Sequence, residues 1–199
     1  MLPFSRSCKF QMKRGGGKSM LIEVMFGVQQ DDSDIFESSQ STEAIFTPDM
    51  MWPDSYAVAE AKFFRLMARD IPHSSFHLRC LQVCACIVVG TDFSSCTFKT
   101  VVMHFLTTTP LSGWTRRDFP LRLLEIMRYL RHRLKEKWLN HFFLGNEGMP
   151  EEIVLPSDIR EAEQLNLFQH LEQDPVAHAE AMHEVEELQD RLRRLLKDH

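Results

Sequence analysis

The sequence predicts an α+β fold, mainly α. Three observations carry that expectation: a triple-glycine turn between two short strand-like stretches near the N terminus, apolar residues at three- and four-residue steps through most of the later chain, and capping or breaking residues at the ends of those periodic runs. A chain of 199 residues with 44% apolar and 26% charged content has the make-up of a globular domain with a sizeable core, not of a disordered segment.

Phe10 to Met12, the turn Arg14-Gly-Gly-Gly-Lys18 and Met20 to Val28 read as a β-hairpin, because adjacent glycines permit the positive backbone angles of a tight return. Gly15-Gly-Gly-Lys-Ser19 has the composition of a phosphate-binding loop but lacks the Walker spacing and a strand-to-helix setting, so the turn is preferred. Asp31-Asp-Ser-Asp34 then turns the chain into Ile35 and Phe36, its acids shaping a polar turn rather than clamping magnesium. Residues 1–47 are expected to form this hairpin or meander, and residues 48–199 a single helical unit.

After the loop around Thr47-Pro48 and Trp52-Pro53, the residues Tyr56, Ala59, Phe63, Phe64 and Met67 give a core-facing helix. A second apolar helix is expected from about Ser75 to Val89, stopped by Gly90. Within it His77, Cys80 and Cys84 fall at helical intervals and invite a zinc reading. Cys86 points to another face, however, and no paired Cys-x-x-Cys loop is present, so small buried thiols are the preferred state and no metal site is assigned. Ser94 or Ser95 can cap a third helix with Phe98, Val101, Val102 and Phe105 inward.

The fourth helix starts near Asp118 and Pro120, where Asp can cap and Pro fits the first turn, and runs to about Lys137 with Leu123, Leu124, Met127, Leu130 and Leu134 inward. Arg117, Arg128, Arg131, Arg133, Lys135 and Lys137 give it a positive flank. Such a flank can neutralise phosphates of nucleic acid, inositol phosphate or lipid, or be a solvated face favoured near a helix C terminus. Trp138, Leu139, Phe142, Phe143 and Leu144 supply an apolar plug, and Met149 to Pro156 reads as an extended connector between prolines. A helix from Ser157 or Asp158 through Leu171 and a last one from Asp174-Pro175 complete the chain. In the last, Met182, Val185, Leu188, Leu192 and Leu195 form the apolar stripe, which is too short in heptads to argue for a coiled coil.

The formal net charge of -5 gives no global pull toward nucleic acid or anionic lipid. Arg6, Lys9, Lys13, Arg14 and Lys18 precede any acid, whereas Asp31, Asp32, Asp34, Glu37, Glu43, Asp49, Asp54 and Glu60 follow with no base before Lys62; mutual packing or plain solvation accounts for these blocks as well as a partner does. Five cysteines at 8, 80, 84, 86 and 96 form an odd set without regular disulfide spacing, which fits a reducing compartment. No apolar run of about 18 residues is present for a membrane span, and the first residues lack the apolar stretch of a secretory signal.

Several words of the sequence occur in a characteristic order: Ser55-Tyr-Ala-Val-Ala-Glu-Ala-Lys-Phe-Phe-Arg65, Ser94-Ser-Cys-Thr-Phe-Lys99, Leu106-Thr-Thr-Thr-Pro-Leu-Ser-Gly-Trp114, Glu136-Lys-Trp-Leu-Asn-His-Phe-Phe143 and Leu165-Asn-Leu-Phe-Gln-His-Leu171. Together they resemble the helical C-terminal lobe of male-abnormal-21 proteins, a nucleotidyltransferase-like superfamily related to cyclic GMP-AMP synthase. Within it they resemble the inositol trisphosphate receptor-interacting protein-like branch.

The resemblance implies a C-terminal fragment in which residues 1–47 are the remnant of a preceding lobe and residues 48–199 are the helical lobe. It further implies a single-pass membrane segment and a catalytic half upstream, with this region cytosolic and membrane-associated through the missing part. In enzymes of the superfamily the matching helix start holds a nucleotide with a serine and an aromatic ring, which nominates Ser94, Ser95 and Lys99 for ligand binding; Cys96 stands where the ring would be. Arg117, Arg128, Arg131 and Lys135 are nominated as an anion or partner surface.

No catalytic residues, metal ligands or cofactor are assigned, because the clustered carboxylates and Gly-Ser motif needed for nucleotidyl transfer do not occur in these residues. The expected role is a non-catalytic interaction lobe with a protein partner. The resemblance gives that partner as the inositol trisphosphate receptor, and nucleic acid is not expected. The alternative is the nucleotide- or activator-binding lobe of a transferase that makes a second messenger.

Overall fold

In the computed structural model, described over residues 7–13, 19–38, 54–70, 76–88, 91 and 93–197, strands come first and helices dominate after residue 57. The Arg14 to Lys18 turn, the Thr47-Pro48 and Trp52-Pro53 loop, Ser75 and Gly90 lie outside the described residues. The fold is α+β and mainly helical, as the sequence predicts. The chain divides into two compact units, residues 1–63 with 150–157 and residues 64–149 with 158–199.

In the first unit, β1 (Ser7–Lys13) pairs antiparallel with β2 (Ser19–Met25) in the register Phe10↔Ile22 and Met12↔Met20. Alternation along a strand puts Phe10, Met12, Met20, Ile22 and Val24 on one face, and Phe10, Met12, Met20 and Val24 are exposed there. The strand expected over Met20 to Val28 is interrupted at Phe26. After it β3 (Gly27–Gln29) starts a separate sheet in the order β3-β4-β5, with β4 at Phe36–Ser38 and β5 at Asp54–Ser55.

The turn between β3 and β4 is built by its acids. Asp31 and Asp32 take φ of 43° and 54°, a region that Asp tolerates because its short side chain bonds locally. Asp34 has a different part, being 5% exposed and ion-paired to Lys62 Nζ at 2.7 Å. Its Oδ2 also accepts from Val154 N (2.9 Å), and its own N–H donates to Val154 O (2.8 Å). One carboxylate thus ties segment 150–157 to the turn. Asp34→Asn keeps the shape but removes the charge that Lys62 and the Val154 amide share. The expected loss is about 2 kcal/mol, the scale of a hydrogen bond to a charged group, read as faster amide exchange at Val154.

α1 (Ala57–Asp70) spans the division between Phe63 and Phe64, and buries Ala59, Phe63 and Phe64 as its spacing predicts. In the second unit, α2 (Phe76–Ile87), α3 (Ser95–Thr108), α4 (Phe119–Lys135) and α7 (Pro175–Lys197) pack together, α4 lying along α7. Phe98, Val101, Val102, Met103 and Leu106 from α3, Leu123, Ile126, Met127, Leu130 and Leu134 from α4, and Val185, Leu188 and Leu192 from α7 form the core with Trp114. Three residues expected to be buried are not: Cys86, Trp138 of the plug and Leu195 of the α7 stripe are exposed, the last two at 48% and 47%. Trp138 is turned out of the plug because Lys137 takes φ 54° to end α4, its N–H closing on Leu134 O and that of Trp138 on Arg133 O.

Asp118 is not a side-chain cap for α4; its carboxylate accepts from Thr115 Oγ1 at 2.7 Å, and Arg122 anchors the first turn by donating Nε to Gly113 O at 2.9 Å. The helix expected from Ser157 through Leu171 is broken into α5 (Ser157–Arg160), an extended stretch, and α6 (His170–Gln173). Residues 165–167 run instead as a two-rung ladder beside 139–141, with His141 N donating to Leu165 O and Leu167 N to Leu139 O, both at 2.8 Å. Gly145 closes the loop before this ladder at φ 64°, and any Cβ there would run into Ala162 O.

Candidate functional site

Two grooves of opposite charge character flank the helical core. Ser94 makes the first by starting α3: its Oγ accepts from Thr97 N at 3.1 Å, and its φ of -70° and ψ of 151° turn the chain in. Phe93 meets Phe98 edge-on with centroids 6.0 Å apart, which fixes the residues just before the helix. Opposite them, Asp174 Oδ1 caps α7 through Val176 N and Ala177 N (both 3.0 Å), and α7 rises along the far wall.

The resulting groove is about 800 Å³, with Phe93, Leu167, Phe168, Leu171, Ala177 and Ala181 supplying apolar walls and Ser94, Cys96 and Thr97 one rim. Glu180, Glu184 and Glu187, spaced by four and three residues on α7, supply the other rim with His170 and His183. His183 Nε2 lies 3.6 Å from the Glu187 carboxylate. Among the nominated residues Ser94 lines this groove and Lys99 does not; Lys99 stands half-buried further along α3, and Ser95 is the first helical residue. Cys96 presents an exposed thiol where the resemblance would place a stacking ring.

The second groove, about 490 Å³, lies between α4 and α7, which run antiparallel: His178 Nε2 meets Leu134 O at 3.0 Å, and Gln189 Nε2 donates to Met127 O at 3.3 Å. Arg128, Arg131, His132 and Lys135 line it from α4, and Arg193 from α7. Three of the four nominated cations are therefore brought together, while Arg117, exposed in the turn before α4, is not with them. Arg133 faces elsewhere, its guanidinium 4.8 Å over the Tyr129 ring. Arg193 was not legible as part of this surface, since only the antiparallel pairing of two distant helices brings it there.

The buried titratable groups lie away from both grooves. Burial, reinforced for Cys80 by its neighbour Cys84, holds both thiols protonated, Cys84 being pushed up to about 12 and Cys80 also raised. Neither therefore stands as the thiolate a nucleophile requires. His77, fully buried and stacked 6.5 Å from the Phe64 ring, has its pKa lowered by burial and stays neutral. Among the described residues no group of three or more His, Cys, Asp or Glu is placed to hold a metal ion, and no helix is long and apolar enough to cross a membrane.

Residues 79–187, from α2 to the second half of α7, match the Mab-21 protein HhH/H2TH-like domain. The chain belongs to the Mab-21 family. It is 34% identical over 195 residues to inositol 1,4,5-trisphosphate receptor-interacting protein-like 1 of Mus musculus, and equally to that of Rattus norvegicus, each match covering 94% of this chain and 36% of the relative. Its similarity to the human inositol 1,4,5-trisphosphate receptor-interacting protein is 33% over 180 residues, covering 83% of this chain and 32% of that protein. The chain thus spans about a third of the length of the curated relatives it matches. The resemblance read from the sequence words holds for the Mab-21 domain and for the receptor-interacting branch. The first groove lies wholly inside the Mab-21 match, whereas Gln189 and Arg193 of the second lie beyond it.

Proposed function

We propose that this Mab-21 chain is a non-catalytic interaction and regulatory lobe that works by docking a protein partner, with the inositol 1,4,5-trisphosphate receptor as the partner to test first. The longer protein to which this reading assigns it is membrane-tethered, with this lobe facing the cytosol. One observation carries the reading: the groove at the start of α3 joins apolar walls to the Glu180, Glu184 and Glu187 rim. With no metal ion between them a nucleotide triphosphate meets like charge at those carboxylates, and among the described residues no three His, Cys, Asp or Glu are placed to hold one. Like charges about 4 Å apart repel by roughly 4 kcal/mol at an effective dielectric of about 20. A protein segment with apolar side chains and flanking lysines or arginines meets both features of the groove, and charge complementarity of this kind sets partner choice and association rate. The relatives are themselves named as receptor-interacting proteins.

The test has two arms. Glu180→Lys with Glu184→Lys is expected to weaken binding to the cytosolic part of the receptor at least tenfold, measured by calorimetry or biolayer interferometry, with the helical content unchanged by circular dichroism. No receptor binding by the parent protein, or binding indifferent to this reversal, overturns the assignment. Release of pyrophosphate from magnesium-ATP by the protein would instead establish the nucleotidyltransferase alternative.

A further inference from the structure

We propose that the α4–α7 groove is a binding site for a phosphate-bearing ligand, distinct from the partner groove at the start of α3. Arg128, Arg131 and Lys135 recur at three- and four-residue steps and so form one line of positive charge along α4, to which α7 adds Arg193. Like charges stacked at these steps destabilise a helix by a few tenths of a kcal/mol per pair, so the arrangement costs the fold something.

Two carboxylates offset two of the cations. Arg131 Nη2 lies 3.0 Å from Glu186 Oε1, and Arg193 Nη1 lies 2.9 Å from Asp190 Oδ1. Arg128 and Lys135 have no such partner among the described residues. The four Arg and Lys cations and the two carboxylates leave a charge of +2 in the groove, in a chain whose formal net charge is -5.

The helix dipole accounts for Lys135 but not for the rest of this cluster. Its stabilisation of cations fades beyond the last turn, which in α4 holds His132, Arg133 and Lys135. Arg128 is a full turn earlier, and Arg193 precedes the last turn of α7, whose basic members are Arg194 and Lys197. The volume of about 490 Å³ falls in the range of small-molecule sites. Leu124 and Met127 give one apolar wall, and the guanidinium forks offer the paired donors that suit phosphate oxygens. A phosphomonoester or pyrophosphate group matches this charge and donor set, whether carried by a soluble organic phosphate or by a lipid headgroup.

Calorimetric titration with inorganic pyrophosphate tests the soluble source. Co-sedimentation with phosphatidylcholine vesicles, with and without phosphatidylinositol bisphosphate, tests the lipid source. Binding to either probe should weaken at least tenfold in Arg128→Glu with Lys135→Glu, and should fall steeply with added salt. Arg117→Glu, outside the groove, should leave it unchanged. Both altered positions in the double variant are exposed, so the fold is expected to persist, and Arg128→Gln with Lys135→Gln repeats the measurement without introducing acids. Pyrophosphate binding lost in the variants supports a soluble ligand, and bisphosphate-dependent sedimentation lost in them supports a headgroup. Absence of both, or binding that survives the variants, overturns the proposal. Receptor binding through the Glu180 rim does not enter either measurement, so the two readings fail separately.

Discussion

Lowering the pH from about 7 to about 4 is expected to cost the helical unit about 3 kcal/mol through His141 alone. Burial, followed by the charge of neighbouring His104, lowers the His141 pKa from 6.5 to about 4, and a difference of that size corresponds to about 3 kcal/mol between protonation states. The geometry requires the neutral ring: Nδ1 accepts from Leu144 N at 3.2 Å and would lose its lone pair on protonation. His104 is lowered too, first by burial, while its Nε2 donates to Asn140 O at 2.9 Å and its ring stands edge-on to Phe142 at 5.1 Å. Both folded values lie below the unfolded one, so the unfolded chain binds more protons. This stability is therefore complete above about pH 6.5 and lost as pH falls toward 4. Urea unfolding followed by circular dichroism across that window should show the loss. In His141→Asn, whose carbonyl oxygen can accept from Leu144 N without titrating, most of the slope between these pH values should vanish. An unchanged slope would show that His141 is not a source of the acid sensitivity.

What the sequence disclosed and what it hid divide along physical lines. The stripes of α1, α3 and α4 were legible because a helix repeats its burial every three or four residues, so Phe63, Val102 and Leu130 mark the core without knowledge of their neighbours. The hairpin expected on either side of the glycines is present as β1 and β2, with Met12 opposite Met20, a register that only the strand pairing reveals. Trp138 and Leu195 were misplaced because residue chemistry favours burial while the ends of α4 and α7 leave those positions uncovered; Cys86 is exposed although Ile87 and Val88 after it are buried, so the face it lies on decides its exposure.

The grooves were legible only in part. Ser94 announced its cap, and the cations of α4 announced a positive line, whereas the acidic rim opposite Ser94 and the Arg193 side of the basic groove depend on where α7 lies. α7 then joins the two surfaces in one element. Its first half turns Glu180, Glu184 and Glu187 toward α3, and its second half turns Gln189 and Arg193 toward α4. None of these groove charges sits in the first or last turn of α7, so the helix dipole does not set their order.

Asn166→Leu is expected to be the most damaging single substitution in the ladder, costing about 4 kcal/mol. The residue is 7% exposed, and its amide satisfies three backbone groups. Oδ1 accepts from Leu139 N at 2.9 Å and from Phe168 N at 3.0 Å, while Nδ2 donates to Lys137 O at 2.9 Å. Leucine keeps the branching at Cγ but is bulkier and cannot hydrogen-bond, so it strands those groups, each costing about 1–3 kcal/mol when left unmet away from water. This side chain also explains why the periodicity of residues 157–171 misled. Leu165 and Leu167 have helical neighbours in sequence, yet a helix would withdraw the Asn166 amide from the turn after α4. Two-rung pairing and side-chain capping then outweigh a marginal helix interrupted at Arg160. Asn166→Asp separates the contributions, since it keeps both acceptor contacts of Oδ1 but loses the donor and sets a charge against Lys137 O; it should fall between the parent and Asn166→Leu in thermal unfolding. If Asn166→Leu melts with the parent, these three hydrogen bonds do not hold the plug of Leu139, Phe142 and Phe143 on the helical core.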